Sequence, residues 1–597
     1  HPSHAPHAPA DGRLVVYTGV AEIWLFDPAT ASTRRLSIDV PSPRTQAARK
    51  FVDTADNLAG FELHPAGHSL AIEARGKLFT FALWEGAVRQ HGVPDGVRYR
   101  YGQWLADGET LVAISDETHE ERLVVFRGGE MWRGHWERGR AVAMGAAPAG
   151  WKFAITNHRH EVLGAGLDAN TDAVIDRSDS GRSEDVAWSP DGAWLAYTFW
   201  TSPRHSTIKL FDVANAKSTL VTDPEFRDYS PAFDPSGRYL YFLSLRTFDP
   251  VYDNVQFELS FPRAARPYLI ALKAAERPPF EPEPKGMQDD DPKAARNAKP
   301  EPPVALHVDF EGIARRVAAF PVPEGRFGQI AGVAGDKVVW TVMPVAGAHG
   351  RGGHKDLPGR LELFDFRTMK TELLVDRVDR FEIAADHLTL VLREGKRLRA
   401  IRADRKPDSR ERAVQPGNEP SRKTGWIDLS RVRPSVDPPR EWAQMLHEVW
   451  RLQPDLFWVP DMSGLDWKGL YHRYEPLFGR LSARGKFSDL IWEIQGELGT
   501  SHAYEMGGDH RKPPPVSLGH LAAELRLAED GASYVIDRIV EGDPWDAVAD
   551  SPLNAIGVQA QHAGRQPPVP CVAVSQLTAW ARNDPRAFVD ARKLAHP

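Results

Sequence analysis

The chain has 597 residues and a mass of 66.5 kDa, room for about four domains at roughly 150 residues each. Its 42% hydrophobic and 26% charged residues exclude whole-chain disorder, and a net charge of 74 − 81 = −7 argues against a nucleic-acid binder held by phosphate contacts. The single cysteine, Cys571, excludes a disulfide framework and any zinc site of paired cysteines, and no run of 18 apolar residues is present to span a membrane.

The first ten residues, His1 to Ala10, lack the layout of a signal peptide, and His1, His4 and His7 read as a terminal tail rather than a metal site. Residues 1–30 read as an N-terminal remnant of a preceding propeller or as a linker. Within it Arg13 to Asp27 (RLVVYTGVAEIWLFD) reads as two strands, either closing a ring as an outer strand or belonging to another blade.

A turn motif then repeats. It stands at His64-Pro65-Ala66-Gly67, Ala106-Asp107-Gly108, Pro148-Ala149-Gly150, Ser189-Pro190-Asp191-Gly192 and Asp234-Pro235-Ser236-Gly237, with glycines 41, 42, 42 and 45 residues apart. Strand-rich runs follow each copy, such as Trp194 to Tyr197 and then Ile208 to Asp212. Pro presets φ and Gly supplies a positive φ, which closes a tight hairpin. A step near 42 residues with several strands matches the four-stranded blade of a β-propeller. Degenerate copies around Ala334-Gly335-Asp336 and Ala384-Ala385-Asp386 raise the count to seven, predicting a seven-bladed propeller over residues 31–420. Glu276 to Val304 interrupts it with eight Pro, seven acids and five bases, too polar to offset its ordering entropy, and is expected to be a disordered insert. The acidic run Asp289 to Asp291 within it reads as a solvated cluster, not a cation site.

After a polar linker the apolar period changes from 2 to 3.6, marking a helical half-domain over residues 421–512. Trp442, Met445, Leu446, Val449 and Trp450 mark one helix, capped by Asp437 with Pro438 and Pro439 in its first turn. Trp467, Leu470, Tyr471 and Tyr474 mark a second after Asp466; Leu490, Ile491, Ile494 and Leu498 mark a third after Ser488, with Gly499 as its stop. Residues 513–558 return to β, with strands in Val516–Leu527 and Tyr534–Val540 and a short helix in Asp543–Ala549. Residues 559–597 lose periodicity and are expected to be a poorly ordered, divergent tail.

Several strings in Glu441–Asp509 resemble the tricorn protease family: Glu441-Trp442-Ala443-Gln444-Met445, Phe457-Trp458-Val459, Asp461-Met462-Ser463-Gly464, and above all Gly496-Glu497-Leu498-Gly499-Thr500-Ser501-His502-Ala503-Tyr504-Glu505. Gly542-Asp543-Pro544-Trp545 and Ser551-Pro552-Leu553 resemble the family's PDZ-like domain. The resemblance implies a multidomain, mainly β chain: a seven-bladed propeller, a helical core half and an incomplete PDZ-like domain. It implies a cytoplasmic serine-type peptidase that degrades peptides released by larger proteases. The propeller would filter substrate, and the whole protein would be a homo-oligomer, a hexamer in the family. The family's first propeller has no counterpart beyond the remnant, and neither has the second core half that brings the nucleophilic Ser. The Arg- and Pro-rich text after Val558 is what a shifted reading frame would give, so this chain alone is expected to be inactive.

In the central pair, a naive reading has His502 activate Ser501, but neighbours in an extended segment point to opposite sides. The resemblance assigns His502 as the general base and Ser501 as a supporting member of the charge relay, leaving no nucleophile in this chain. Imidazoles titrate near neutrality, which suits proton abstraction. His158-Arg159-His160-Glu161 places two His on one face of an expected strand without a third ligand, so it reads as surface strand. Trp188, Trp194 and Trp200 read as core packing, and Cys571 has no His or Asn context for catalysis. No cofactor or metal is expected; the partners are peptides, with neither nucleic acid nor membrane. Two other readings stand beside the peptidase. One is a non-catalytic propeller–PDZ peptide-binding protein. The other is a periplasmic TolB-like propeller, against which the Gly499–Glu505 string counts.

Overall fold

The computed structural model describes residues 13–19, 22–38, 41, 43–134, 139–150, 152–166, 173–252, 257–277, 279–280, 306–345, 357–406, 419–510, 521–528, 533–542, 551–555 and 572–573. The chain divides into two compact units, His1–Gly508 and Asp509–Pro597.

Tight turns organise the first unit. The amides of Gly67, Gly108, Gly192 and Gly237 close onto the carbonyls of His64, Leu105, Ser189 and Asp234 at 2.7–3.0 Å. Their φ angles of 65–72° are open to glycine and strained for other residues. In the seventh copy the position falls to His387, whose amide closes onto Ala384 at 2.9 Å with φ 52°. Asp386 supports it by accepting from the amides of Leu388 and Thr389, both at 2.8 Å.

Each turn joins an innermost strand to its neighbour in an antiparallel sheet. The innermost strands are Leu58–Leu63, Tyr99–Trp104, Ala141–Ala146, Val186–Trp188, Arg227–Phe233, Arg326–Val333 and Arg380–Ile383. Among the described residues these begin seven successive antiparallel sheets, the fourth and fifth joined by one parallel bridge from Ser206 to Arg227. Consecutive innermost strands touch and the last touches the first, so the sheets close into a ring, the propeller. The closing seam is mostly apolar: Leu58, Phe61, Leu70 and Phe79 of the first sheet pack with Val391 and Leu398 of the last, and the Glu62 and Glu382 carboxyls interact across it.

The strand completing the seventh sheet comes from downstream. Ala400 donates to the carbonyl of Gly425 at 2.8 Å and Ile427 donates to that of Leu398 at 3.0 Å. The Arg13–Asp27 segment therefore does not close the ring; Val15–Gly19, Glu22–Asp27 and Ser32–Arg35 form a three-stranded sheet of their own. The ring thus begins at Leu58 rather than residue 31 and ends past residue 420. The insert also begins differently from expectation. Phe280 packs on Phe320 and Phe366, at centroid distances of 5.1 and 5.9 Å, because the seam between the fifth and sixth sheets offers it an aromatic slot. The remainder of the insert, with Asp289–Asp291, lies outside the described residues, as do His1, His4, His7 and Cys571.

Three helices follow the ring: α1 (Pro438–Leu456), α2 (Trp467–Tyr474) and α3 (Arg484–Gly496). Asp437 caps α1 by accepting from Arg440, and Asp466 caps α2 by accepting from Gly469 at 2.9 Å. Trp442 and Leu446 of α1 are buried with Trp467, Leu470, Leu490, Ile491 and Ile494, while Met445, Val449 and Trp450 are only partly buried against them. The indoles of Trp450 and Trp467 donate reciprocally to each other's carbonyls, at 3.4 and 2.8 Å. Helix α3 starts one turn earlier than expected. Ser488 is not its cap but a buried residue inside it.

In the second unit, Ala523–Leu527, Ser533–Ile539 and Val572–Ala573 form an antiparallel sheet. Ser551 donates to Leu521 at 2.6 Å and its hydroxyl accepts from Leu553 at 3.2 Å, tying a short helix at Pro552–Ala555 to the sheet. Two residues of the expected divergent tail are thus paired strand: Tyr534 faces Val572 and Ser533 faces Ala573. The helix expected at Asp543–Ala549 lies outside the described residues.

Candidate active site

Helix α1 positions the helical module through its polar side. Arg75, in the turn between the second and third strands of the first sheet, grips Glu441 with two bonds of 2.6 and 2.9 Å. Gln444 donates to Asp116 at 2.7 Å. Arg98 and Arg140, which precede the innermost strands of the second and third sheets, converge on Glu448, Arg140 at 2.9 Å. Burial would push the Glu448 carboxyl up, but these two guanidinium groups overcome it and bring the group down to about 2. A cavity of 310 Å³ lies along the seam, lined by Arg75, Lys77, Asp95, Arg98, Glu441 and Gln444 among others. Neither Ser501 nor His502 lines it.

The Ser501-His502 pair lies beyond α3. Gly499 turns the chain out of the helix with φ 61°, and the segment that follows has no regular secondary structure. Both Ser501 and His502 are exposed. His502 itself has φ 68°, in the left-handed region. Its ring meets Tyr504 edge-on at 6.0 Å, and Tyr504 meets Trp492 of α3 at 6.2 Å. Among the described residues no hydroxyl hydrogen-bonds to the His502 imidazole, Ser501 included. Nearby, Glu505 accepts from Arg484 at 2.5 Å and from Ser488 at 2.9 Å. Ser488, expected as the cap of α3, instead bonds with Arg484 and Glu505, contacts that the sequence did not announce. The available signal was the spacing of Arg484 and Ser488, i and i+4, which puts them on one face of α3.

The other candidates separate. His158 and His160 stand in a turn, not a strand, since the preceding strand ends at Asn157. They face different partners: His158 Nδ1 accepts from the Arg140 amide at 2.9 Å, and His160 Nδ1 lies 3.2 Å from the Ser178 carbonyl. Trp194 is buried core, and Trp188 donates to Gly145 at 2.9 Å; Trp200 stands under the Arg227 guanidinium at 5.0 Å. Among the described residues no group of three or more His, Cys, Asp or Glu is arranged to hold a metal, and no helix is long and apolar enough to cross a membrane.

Comparison with known proteins follows the same order along the chain. Residues 58–404 match the tricorn protease second beta propeller domain, 438–496 the tricorn protease C1 domain and 519–565 the tricorn protease PDZ domain. A tricorn protease homolog of Saccharolobus solfataricus is 33% identical over 93% of this chain and 49% of its own length. Tricorn protease homolog 1 of Streptomyces coelicolor is 33% identical over 93% of this chain and 52% of its own. The chain thus spans about half the length of these relatives. The crystal structure of the tricorn protease superposes with a TM-score of 0.75 at 23% identity, covering 92% of this chain and 51% of that one, and so shares the fold. With the propeller match alone taking more than half of its residues, and the C1 and PDZ matches following in sequence, this chain belongs to the tricorn protease family.

Proposed function

We propose that the chain is the propeller, first core half and PDZ-like part of a serine-type peptidase acting on short peptides released by larger proteases. In this reading His502 is the general base and Ser501 supports the relay. The supporting observation is the exposed imidazole at the end of α3, presented by a segment tied back to the helix through Glu505. Acyl transfer needs a nucleophilic hydroxyl within about 3 Å of such a base, together with an oxyanion hole. No described hydroxyl stands there, so the nucleophile has to be brought by the family's second core half. The chain alone therefore turns over almost no peptide. The ring acts as a substrate filter, the PDZ-like unit as a binder of chain ends, and the whole protein as a cytoplasmic homo-oligomer.

That missing hydroxyl also favours a second reading, a non-catalytic propeller–PDZ protein that binds peptides. Hydrolysis of fluorogenic tri- and tetrapeptides separates the two. The chain alone should be inactive, and the chain joined to a second core half from a tricorn relative should be active and lose that activity with His502→Ala. Cleavage by the chain alone that Ser501→Ala abolishes would make Ser501 the nucleophile. Activity of the joined protein that survives His502→Ala would remove His502 from the mechanism.

A further inference from the structure

His502 carries a Cβ yet sits at φ 68°, within a stretch where Gly499, Gly507 and Gly508 also have positive φ. A left-handed conformation at such a residue is strained and persists only where its surroundings over-determine it. The stretch has no regular secondary structure, so the constraint must come from side chains. Besides Tyr504 against Trp492 and Ala503 against the helical core, one polar set is available. Arg484 is 6% exposed and Ser488 6% exposed, both inside α3. Arg484 donates to the Ser488 hydroxyl and, at 2.5 Å, to Glu505; Ser488 donates to the same Glu505 oxygen at 2.9 Å. The guanidinium lies over the Phe487 ring at 5.1 Å, which fixes its plane. Gly508 closes over it from the segment's side: a Cβ there would lie 2.8 Å from Arg484 Nη2.

We propose that Arg484, with Ser488 and Glu505, is a positioning residue: a clamp that holds the Ser501–Gly508 segment against α3 and thereby keeps His502 in its left-handed, outward pose. The inference rests on the reading of His502 as general base for its purpose, but not for its geometry. A buried ion pair aimed at one short segment confers local order rather than net stability, because desolvation offsets most of its attraction.

The test uses the purified chain and does not depend on activity. Chymotryptic cleavage after Tyr504, 59% exposed, and carbethoxylation of His502 by diethylpyrocarbonate are both followed by mass spectrometry. Arg484→Met should accelerate Tyr504 cleavage about tenfold, since cleavage tracks the population of the released segment. Gly508→Ala, which crowds the guanidinium from the other side, should do the same, and Arg484→Lys should recover most of the wild-type rate. His502 modification should change in step, while cleavage within Trp467–Tyr474 stays constant. Unchanged Tyr504 cleavage in both disruptive variants would overturn the clamp. So would an equal rise at Trp467–Tyr474, the mark of a merely structural role. If Arg484→Met does not fold, Gly508→Ala decides. A clamp found intact, beside a joined protein whose activity survives His502→Ala, would reject the base and keep the clamp.

Discussion

The fifth and sixth sheets of the ring meet through apolar side chains, whereas the helical module meets the ring through charges. The seam of the fifth and sixth sheets buries Tyr241, Phe320, Trp340 and Phe364 almost completely. The seam under α1 instead sets Glu441, Gln444 and Glu448 against Arg75, Asp116, Arg98 and Arg140. Apolar seams tolerate few alternatives in volume but are indifferent to pH. Charged seams fix register and orientation, at the risk of leaving an unpaired buried charge when one partner is lost. The ring is thus built for permanence and the module is docked for geometry.

The apolar side should show the largest single effect. Trp340→Ala should cost about 3–5 kcal/mol in denaturant unfolding of the ring, the cavity penalty for a fully buried aromatic. A loss below about 1 kcal/mol, the scale of a surface substitution, would mean that the seam is not packed as described.

Glu448→Gln should cost less, about 2–3 kcal/mol, because Arg98 is one-third exposed and solvent screens it. Its pH signature is distinctive. With a folded value near 2 and an ordinary unfolded value near 4.3, Glu448 contributes stability fully above the unfolded value and loses it as pH falls toward 2. Acid titration of thermal stability should show a step between about pH 5 and 2 that Glu448→Gln removes. Arg75→Met should cost about 1 kcal/mol, since both partners are nearly one-fifth exposed. Asp437→Ala should cost about 0.5–1 kcal/mol through the lost cap of α1. If Arg75→Met exceeded Trp340→Ala, the contrast between the two seams would be reversed.

The same contrast governs what could be read from sequence. The turn glycines announce the ring because only a positive φ closes each hairpin, and the alternation of apolar residues supplies the strands. The seventh turn was legible only as a degenerate copy around Ala384-Ala385-Asp386, because His387 rather than Gly takes its positive φ of 52°. The core face of α1 was legible at period 3.6. Its docking face was not, because Glu441, Gln444 and Glu448 look like a solvated stripe until the ring places guanidinium groups opposite. Ring closure by Gly425–Ile427 was hidden in a stretch read as linker and domain edge. At the candidate site, the string around Ser501 and His502 carried the resemblance. The backbone pose of His502 and the role of Arg484 depend on contacts across 17 and 21 residues.

Fluorophosphonate labelling followed by peptide mapping tests the functional account most directly, since the probe marks only a serine activated by a base and an oxyanion hole. The account predicts that no serine of this chain is labelled, Ser501 included. In a protein joined to the second core half, it predicts a single labelled serine in the added part, lost with His502→Ala. Stoichiometric labelling of Ser501 in the chain alone would contradict it.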